Sequence, residues 1–123
     1  MSTSFTSGSN TMIIHWAIAD GRLTDFRELI GGFVNDVRAK CPSTDEYRWF
    51  LSDDSTEAWL IARHADPEAL LPLLAIVGPQ LPRFLETCTM KRFDVFGELT
   101  DRAREAVSNL QATLHRPLVG FVR

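Results

Sequence analysis

The side chains in this sequence best suited to chemistry are two histidines, two tryptophans and two arginines. His64 comes first, because an imidazole titrates near neutral pH and can take a proton from a bound molecule. It closes an alternating apolar run and stands just before Asp66-Pro67-Glu68, where Asp66 can cap a helix, Pro67 can open it and Glu68 suits the positive end of its dipole. A histidine hydrogen-bonded at the end of a sheet would have the same context, so geometry must decide between a base and a structural residue. Trp49 and Trp59 offer flat faces for an aromatic ligand, worth about 0.5–1.5 kcal/mol beyond area burial, although core or subunit packing is the other common use of such rings. Arg63 and Arg92 could hold a phenolate or carboxylate, and His15 could meet the same space from another strand. His115, near the end of the chain, reads as a solvent or cap residue. The 3 histidines lack metal-ligand spacing, so no metal site is expected. No phosphate loop, GxSxG or HExxH pattern is present either.

These residues need a frame, and the stretch Glu46 to Ala65, EYRWFLSDDSTEAWLIARHA, supplies its centre. Two aromatic and β-branched runs flank Ser52-Asp53-Asp54-Ser55, a polar cluster that caps backbone turns, so the stretch predicts a β-hairpin. With Trp49 opposite Trp59, alternation places Tyr47, Trp49 and Leu51 on one face with Trp59, Ile61 and Arg63. Arg48, Phe50, Leu60, Ala62 and His64 then share the other. Upstream, MIIHWAIA from Met12 reads as a buried strand with Ile14, Trp16 and Ile18 on one face and His15 on the other. Thr24 is a plausible cap for a helix whose apolar stripe runs Phe26, Leu29, Ile30, Phe33, Val34, Val37 and which Pro42 ends. Downstream, Pro72 falls late enough for its ring to clash with the carbonyl four residues back, which predicts a short or kinked helix over Ala69 to Ala75. Gly78-Pro79 restarts the chain into a second short helical stripe in which Pro79 and Pro82 are tolerated. Thr89 to Phe96 alternates as a fourth strand, and Thr100 caps a third helix with Ala103, Ala106, Val107, Leu110 and Leu114 as its apolar face. The tail LVGFVR could add an edge strand or pack across a partner subunit.

The order β-α-β-β-α-β with a trailing helix is the ferredoxin-like arrangement: an α+β fold with a four-stranded antiparallel sheet and helices on one face. The serine- and threonine-rich residues 1–11 read as a disordered lead-in to one domain over 12–123. A formal net charge of −3 with no basic stripe argues against nucleic acid and anionic lipid as partners. No apolar run approaches a membrane span and no secretory leader is recognisable, which predicts a cytoplasmic protein. Cys41 and Cys88 stand alone and read as buried free thiols. The tryptophans supply more apolar surface than one sheet face can leave wet, and a homodimer follows as an expectation.

Taken together, IIHWAIADGRLTDFREL, DEYRWFLSDDSTEAWLIARHADPEALL and GPQLPRFLE with RFDVFGELT resemble the dimeric α+β barrel superfamily, in its antibiotic-biosynthesis-monooxygenase-like, or quinol monooxygenase, branch. The likeness spans about Met12 to Leu99. It implies two ferredoxin-like chains packed sheet to sheet as a dimeric barrel, with a pocket in each subunit between sheet and helices. It also implies a cofactor-free oxidation of a small aromatic phenol or quinol by dioxygen; for that reaction the residues singled out above on their own chemistry would serve, His64 as the base that ionises the substrate and Trp49, Trp59, Arg63, His15 and Arg92 as pocket residues. The family's acid-then-aromatic pattern at the end of the third strand is missing at Ala62-Arg63-His64, and a histidine common about nine positions further on is replaced by Leu73, which argues against haem ligation. Those departures leave a second expectation open: a non-catalytic dimer that binds a small hydrophobic ligand or a protein partner.

Overall fold

The computed structural model describes residues 8–123. Of the expected lead-in, residues 1–7 lie outside the described residues, and the first strand already begins at Asn10. The elements are β1 (Asn10–Ile18), α1 (Leu23–Lys40), β2 (Thr44–Leu51), β3 (Glu57–His64), α2 (Leu70–Val77), a 3-10 turn (Gly78–Gln80), α3 (Leu81–Phe84), β4 (Cys88–Gly97), α4 (Asp101–Ser108) and β5 (Thr113–His115). The sheet has five strands in the order β2-β3-β1-β4-β5 rather than the expected four. Its first four strands are antiparallel, and β5 runs parallel to β4. That extra strand comes from residues expected to prolong the last helix: Gln111 adopts a left-handed φ of 67°, turns the chain out of α4 and sends Leu114 to the sheet edge. The tail beyond it forms no strand, and Leu118, Val119, Phe121 and Val122 are exposed.

The helices cover one face. Alternation along β1 buries Asn10, Met12, Ile14 and Trp16 and leaves Thr11, Ile13, His15 and Ala17 half-buried opposite, as a period-two strand with one covered face requires. On α1 the stripe is as expected: Phe26, Phe33 and Val37 are buried, and Leu29 and Ile30 pack beside them. Thr100 caps α4 by accepting the Ala103 N–H at 3.2 Å. The second helix is broken as expected, but at Gly78–Gln80 and not by a clash at Pro72, which falls in the first turn of α2, where its missing N–H would be unpaired anyway. One glycine is obligatory: at Gly97 φ is 121°, and a Cβ would lie 2.4 Å from the Ser9 carbonyl oxygen. Cys41 and Cys88 are buried and free, and burial pushes the Cys88 thiol up to about 11. None of the described helices is long and apolar enough to cross a membrane.

The hairpin forms where expected, with a different register. Ser52 N–H donates to the Glu57 carbonyl at 2.8 Å, Asp54 Oδ1 accepts from the Ser52 and Thr56 hydroxyls at 2.7 Å each, and Ser55 takes a left-handed φ of 63°. This turn sets Trp49 opposite Leu60 and Phe50 opposite Trp59. A register offset of one residue turns a strand's whole side-chain set over. Tyr47 and Trp49 therefore share their face with Ala58, Leu60, Ala62 and His64, while Trp59, Ile61 and Arg63 lie opposite with Arg48 and Phe50.

Candidate functional site

Between the sheet and the helices lies a cavity of about 300 Å3. Its floor is the covered sheet face: Trp16 and Met12 from β1, Tyr47 and Trp49 from β2, Leu60 from β3 and Phe93 from β4. The spacing of large and small residues explains why space exists there. Ala62 sits between Met12 and Tyr47, and Ala58 sits beside Trp16, so the middle strand is low where its neighbours are tall. A bulge in β4 beside His15 and Trp16 lets Met90 reach the cavity while Arg92 points to the other face. The roof comes from the broken helix and α1, and Phe84 on α3 is its hub. Phe84 meets Trp16 edge-on at 5.0 Å, stacks on Phe26 at 5.4 Å and touches Phe33 and Trp49 at 5.3 and 6.0 Å between ring centroids. Gly78, Leu85, Asn109 and Gln111 are exposed lining residues, so the cavity opens between the 3-10 turn, α3 and the turn after α4.

The lining is almost wholly apolar and holds no Asp, Glu, His, Lys or Arg. Its enclosed polar groups are the Tyr47 hydroxyl and the indole N–H groups of Trp16 and Trp49. Burial pushes the Tyr47 phenol up to about 12, against the opposing pull of the neighbouring Trp49 N–H, so it stays protonated at neutral pH. The Trp16 indole N–H has no hydrogen-bond partner among the described residues, and the Trp49 N–H stands near the Tyr47 hydroxyl without closing a hydrogen bond of normal geometry. Among those residues no cluster of His, Cys, Asp and Glu is arranged to hold a metal ion.

The six residues singled out in the sequence fall into two groups on opposite faces. Trp49 lines the cavity. His64 is on the same face, one row beyond Met12 and Tyr47, but is not part of the lining. It is fully buried, its Nδ1 lies 3.0 Å from the Thr44 hydroxyl, and its Nε2 has no partner among the described residues. Burial pushes its pKa down to about 4, with Asp45 and Asp66 pulling weakly the other way. The imidazole is neutral at pH 7, buried at the end of the sheet beside Thr44 and outside the cavity lining.

Trp59, His15 and Arg92 meet on the open face instead, in one row across the sheet that starts at Phe50. The His15 and Trp59 rings stack at 4.4 Å, and His15 Nε2 lies 2.5 Å from Glu57 Oε1. Arg92 donates to Asp94 from Nε at 2.5 Å and holds that carboxyl below its usual range. Arg63 lies two rows away opposite Thr11. His115 is no solvent residue: it bonds Asp94 at 2.8 Å and stacks on Phe96 at 4.4 Å. Among the cavity residues absent from the expected set are Trp16, Tyr47 and Phe84. Tyr47 and Trp16 had the signal of a shared covered face, whereas Phe84 lay in a proline-broken stretch without clear periodicity.

No protein-family model matches the chain, and no curated protein matches it. Solved structures do match. MupZ from Pseudomonas fluorescens superposes with a TM-score of 0.83 at 16% sequence identity, over 95% of this chain and 96% of that one. SnoaB, a cofactor-independent oxygenase from Streptomyces nogalater, gives a TM-score of 0.62 at 16% identity over 73% of this chain and 92% of that one. Rv0793 from Mycobacterium tuberculosis gives 0.63 at 17% identity over 76% and 97%. At these identities the likeness is one of fold, shared with MupZ, SnoaB and Rv0793.

Proposed function

We propose that this chain holds a small, uncharged aromatic molecule in the cavity between sheet and helices and acts on it there as a cofactor-independent monooxygenase of phenols or quinols. The observation that carries the reading is the cavity, about 300 Å3 in volume and walled by aromatic and aliphatic side chains. Such a space takes up a flat apolar ring and dioxygen alike. The chemistry balances without a resident redox group: a phenol with a free ring C–H and one dioxygen give a quinone and water, the substrate supplying the electrons. The fold shared with a cofactor-independent oxygenase supports the reaction class. With no carboxylate or imidazole in the lining, the substrate proton is carried off in the water product rather than taken by His64.

The test is oxygen uptake with a panel of hydroquinones and polycyclic phenols, run on the wild type, on His64→Gln and on Leu73→Trp, which fills the cavity wall. Saturable uptake lost in Leu73→Trp and kept in His64→Gln is the expected result. Uptake indifferent to Leu73→Trp would sink the site. The lack of a base in the lining also favours a second reading, a dimeric module that binds a hydrophobic ligand without turnover. Ligand binding with no uptake across the panel would select it. In either reading we propose that two copies pair through the open face, where Phe50 and Phe96 are about two-fifths exposed. A monomer by light scattering at micromolar concentration would overturn the pairing.

A further inference from the structure

We infer that the indole N–H groups of Trp16 and Trp49, together with the Tyr47 hydroxyl, form a neutral donor set that recognises one carbonyl-type oxygen on an uncharged ligand. The inference rests on the reading of the cavity as a ligand site and adds what that ligand must present. Trp16 is 4% exposed, and both indole nitrogens are enclosed without a partner among the described residues. Buried N–H groups are nearly always hydrogen-bonded, because an orphan loses its water and gains nothing. Here two orphans belong to adjacent rings, 6.4 Å apart between centroids, that line the same cavity. Tyr47 stands 6.3 Å beyond, edge-on to Trp49. The edge contacts of both indoles with Phe84 offer at most an aromatic face, a weaker acceptor than oxygen.

The chemistry of the donors then narrows the ligand. All three donate, and an sp2 oxygen has two in-plane lone pairs that can accept from more than one of them at once. Burial keeps the Tyr47 proton in place at neutral pH. No charged side chain lines the cavity, so a carboxylate or an amine would be stripped of water with no counter-charge. A ketone or quinone oxygen fits those conditions, and so does the oxygen of a phenol on its way to a quinone.

The test compares 2-acetonaphthone with 2-isopropenylnaphthalene, which has the same shape with a CH2 group in place of the oxygen. Binding is read from the indole N–H resonances of the 3 tryptophans. Trp59, on the open face, serves as an internal reference. The ketone should move the Trp16 and Trp49 signals downfield, leave Trp59 in place and bind about tenfold more tightly than the hydrocarbon. Tyr47→Phe and Trp49→Phe should each cut that preference several-fold; Tyr47→Phe, which removes one oxygen atom, carries the test if Trp49→Phe does not fold. Equal affinity for the two probes, or a preference that survives both substitutions, would overturn the donor set and leave the cavity as a ligand site. Binding of neither probe would overturn both.

Discussion

The two faces of one sheet carry the same kinds of residue and put them to opposite uses. Each has tryptophan and histidine from the same strands, Trp16, Trp49 and His64 under the helices, Trp59 and His15 in the open. Beneath the helices there is no counter-charge beside the cavity, His64 is held neutral and two indole N–H groups go unpaired. On the open face polar and aromatic groups are paired or stacked: His15 with Glu57 and Trp59, Arg92 and His115 with Asp94, His115 with Phe96. Residue type therefore says little about role in this molecule, and water access says most. A dry face with neutral donors suits the binding of an uncharged ring, whereas a wet face of paired charges suits a surface or a subunit contact.

The largest effect that separates the faces is the loss of an aromatic ring. Phe84→Ala should cost about 3–5 kcal/mol, because the ring is 1% exposed and four aromatic neighbours would face the void. Trp59→Ala should cost under about 2 kcal/mol, since the half-buried ring leaves water, not a sealed hole, behind it. Urea denaturation of both variants measures the difference. Equal losses would mean that the open face is as firmly packed as the covered one, and the contrast would fail.

Next in size is the pH dependence set by His64. Its folded pKa, near 4, lies below the unfolded value of 6.5, so between those values the unfolded chain binds the extra proton and the folded chain does not. The contribution is complete above pH 6.5 and is lost as pH falls toward 4, by up to about 3 kcal/mol. In His64→Gln the stability curve should lose that acid slope. An unchanged slope would place the effect on other groups and put His64 in contact with water.

The sequence made the elements legible and the faces only in part. Strand alternation, the α1 stripe, the Thr100 cap and the proline breaks all act within a few residues, so local chemistry reports them. The hairpin register depends on the length of one turn. Pairing Trp49 with Trp59 assumes a loop one residue shorter than the turn that Ser52 and Glu57 close, and that single residue exchanged the two faces. The charges held the better signal: Glu57 and Arg63 on β3 match Glu46 and Arg48 on β2, and aligning the wet residues would have put Tyr47 and Trp49 on the dry face. The fifth strand was harder to read, because Thr113–His115 is short and becomes a strand only by pairing with β4. The same holds for His115, whose partner Asp94 is brought beside it by that pairing. For the site, Trp49 stands in the lining with Tyr47 beside it on the same strand face in either register, while Trp16 carried its signal in the alternation of β1, which the hairpin does not set.

The smallest effect sharpens the contrast through salt. Glu57→Gln keeps the shape of the side chain and can still accept a hydrogen bond from His15, so it removes charge alone. The two side chains are 28% and 44% exposed, which leaves their attraction largely screened by water, and the expected loss is about 0.5 kcal/mol. In about 1 M salt the Debye length falls to roughly 3 Å and the loss should shrink toward zero. The acid slope of His64 arises from desolvation and should persist in the same salt. Thermal or urea unfolding of Glu57→Gln and His64→Gln at low and high salt gives four numbers: a salt-sensitive open face beside a salt-insensitive covered face fits an open face that stays wet, whereas a Glu57→Gln loss that ignores salt would mean that the proposed pairing of two copies dries it.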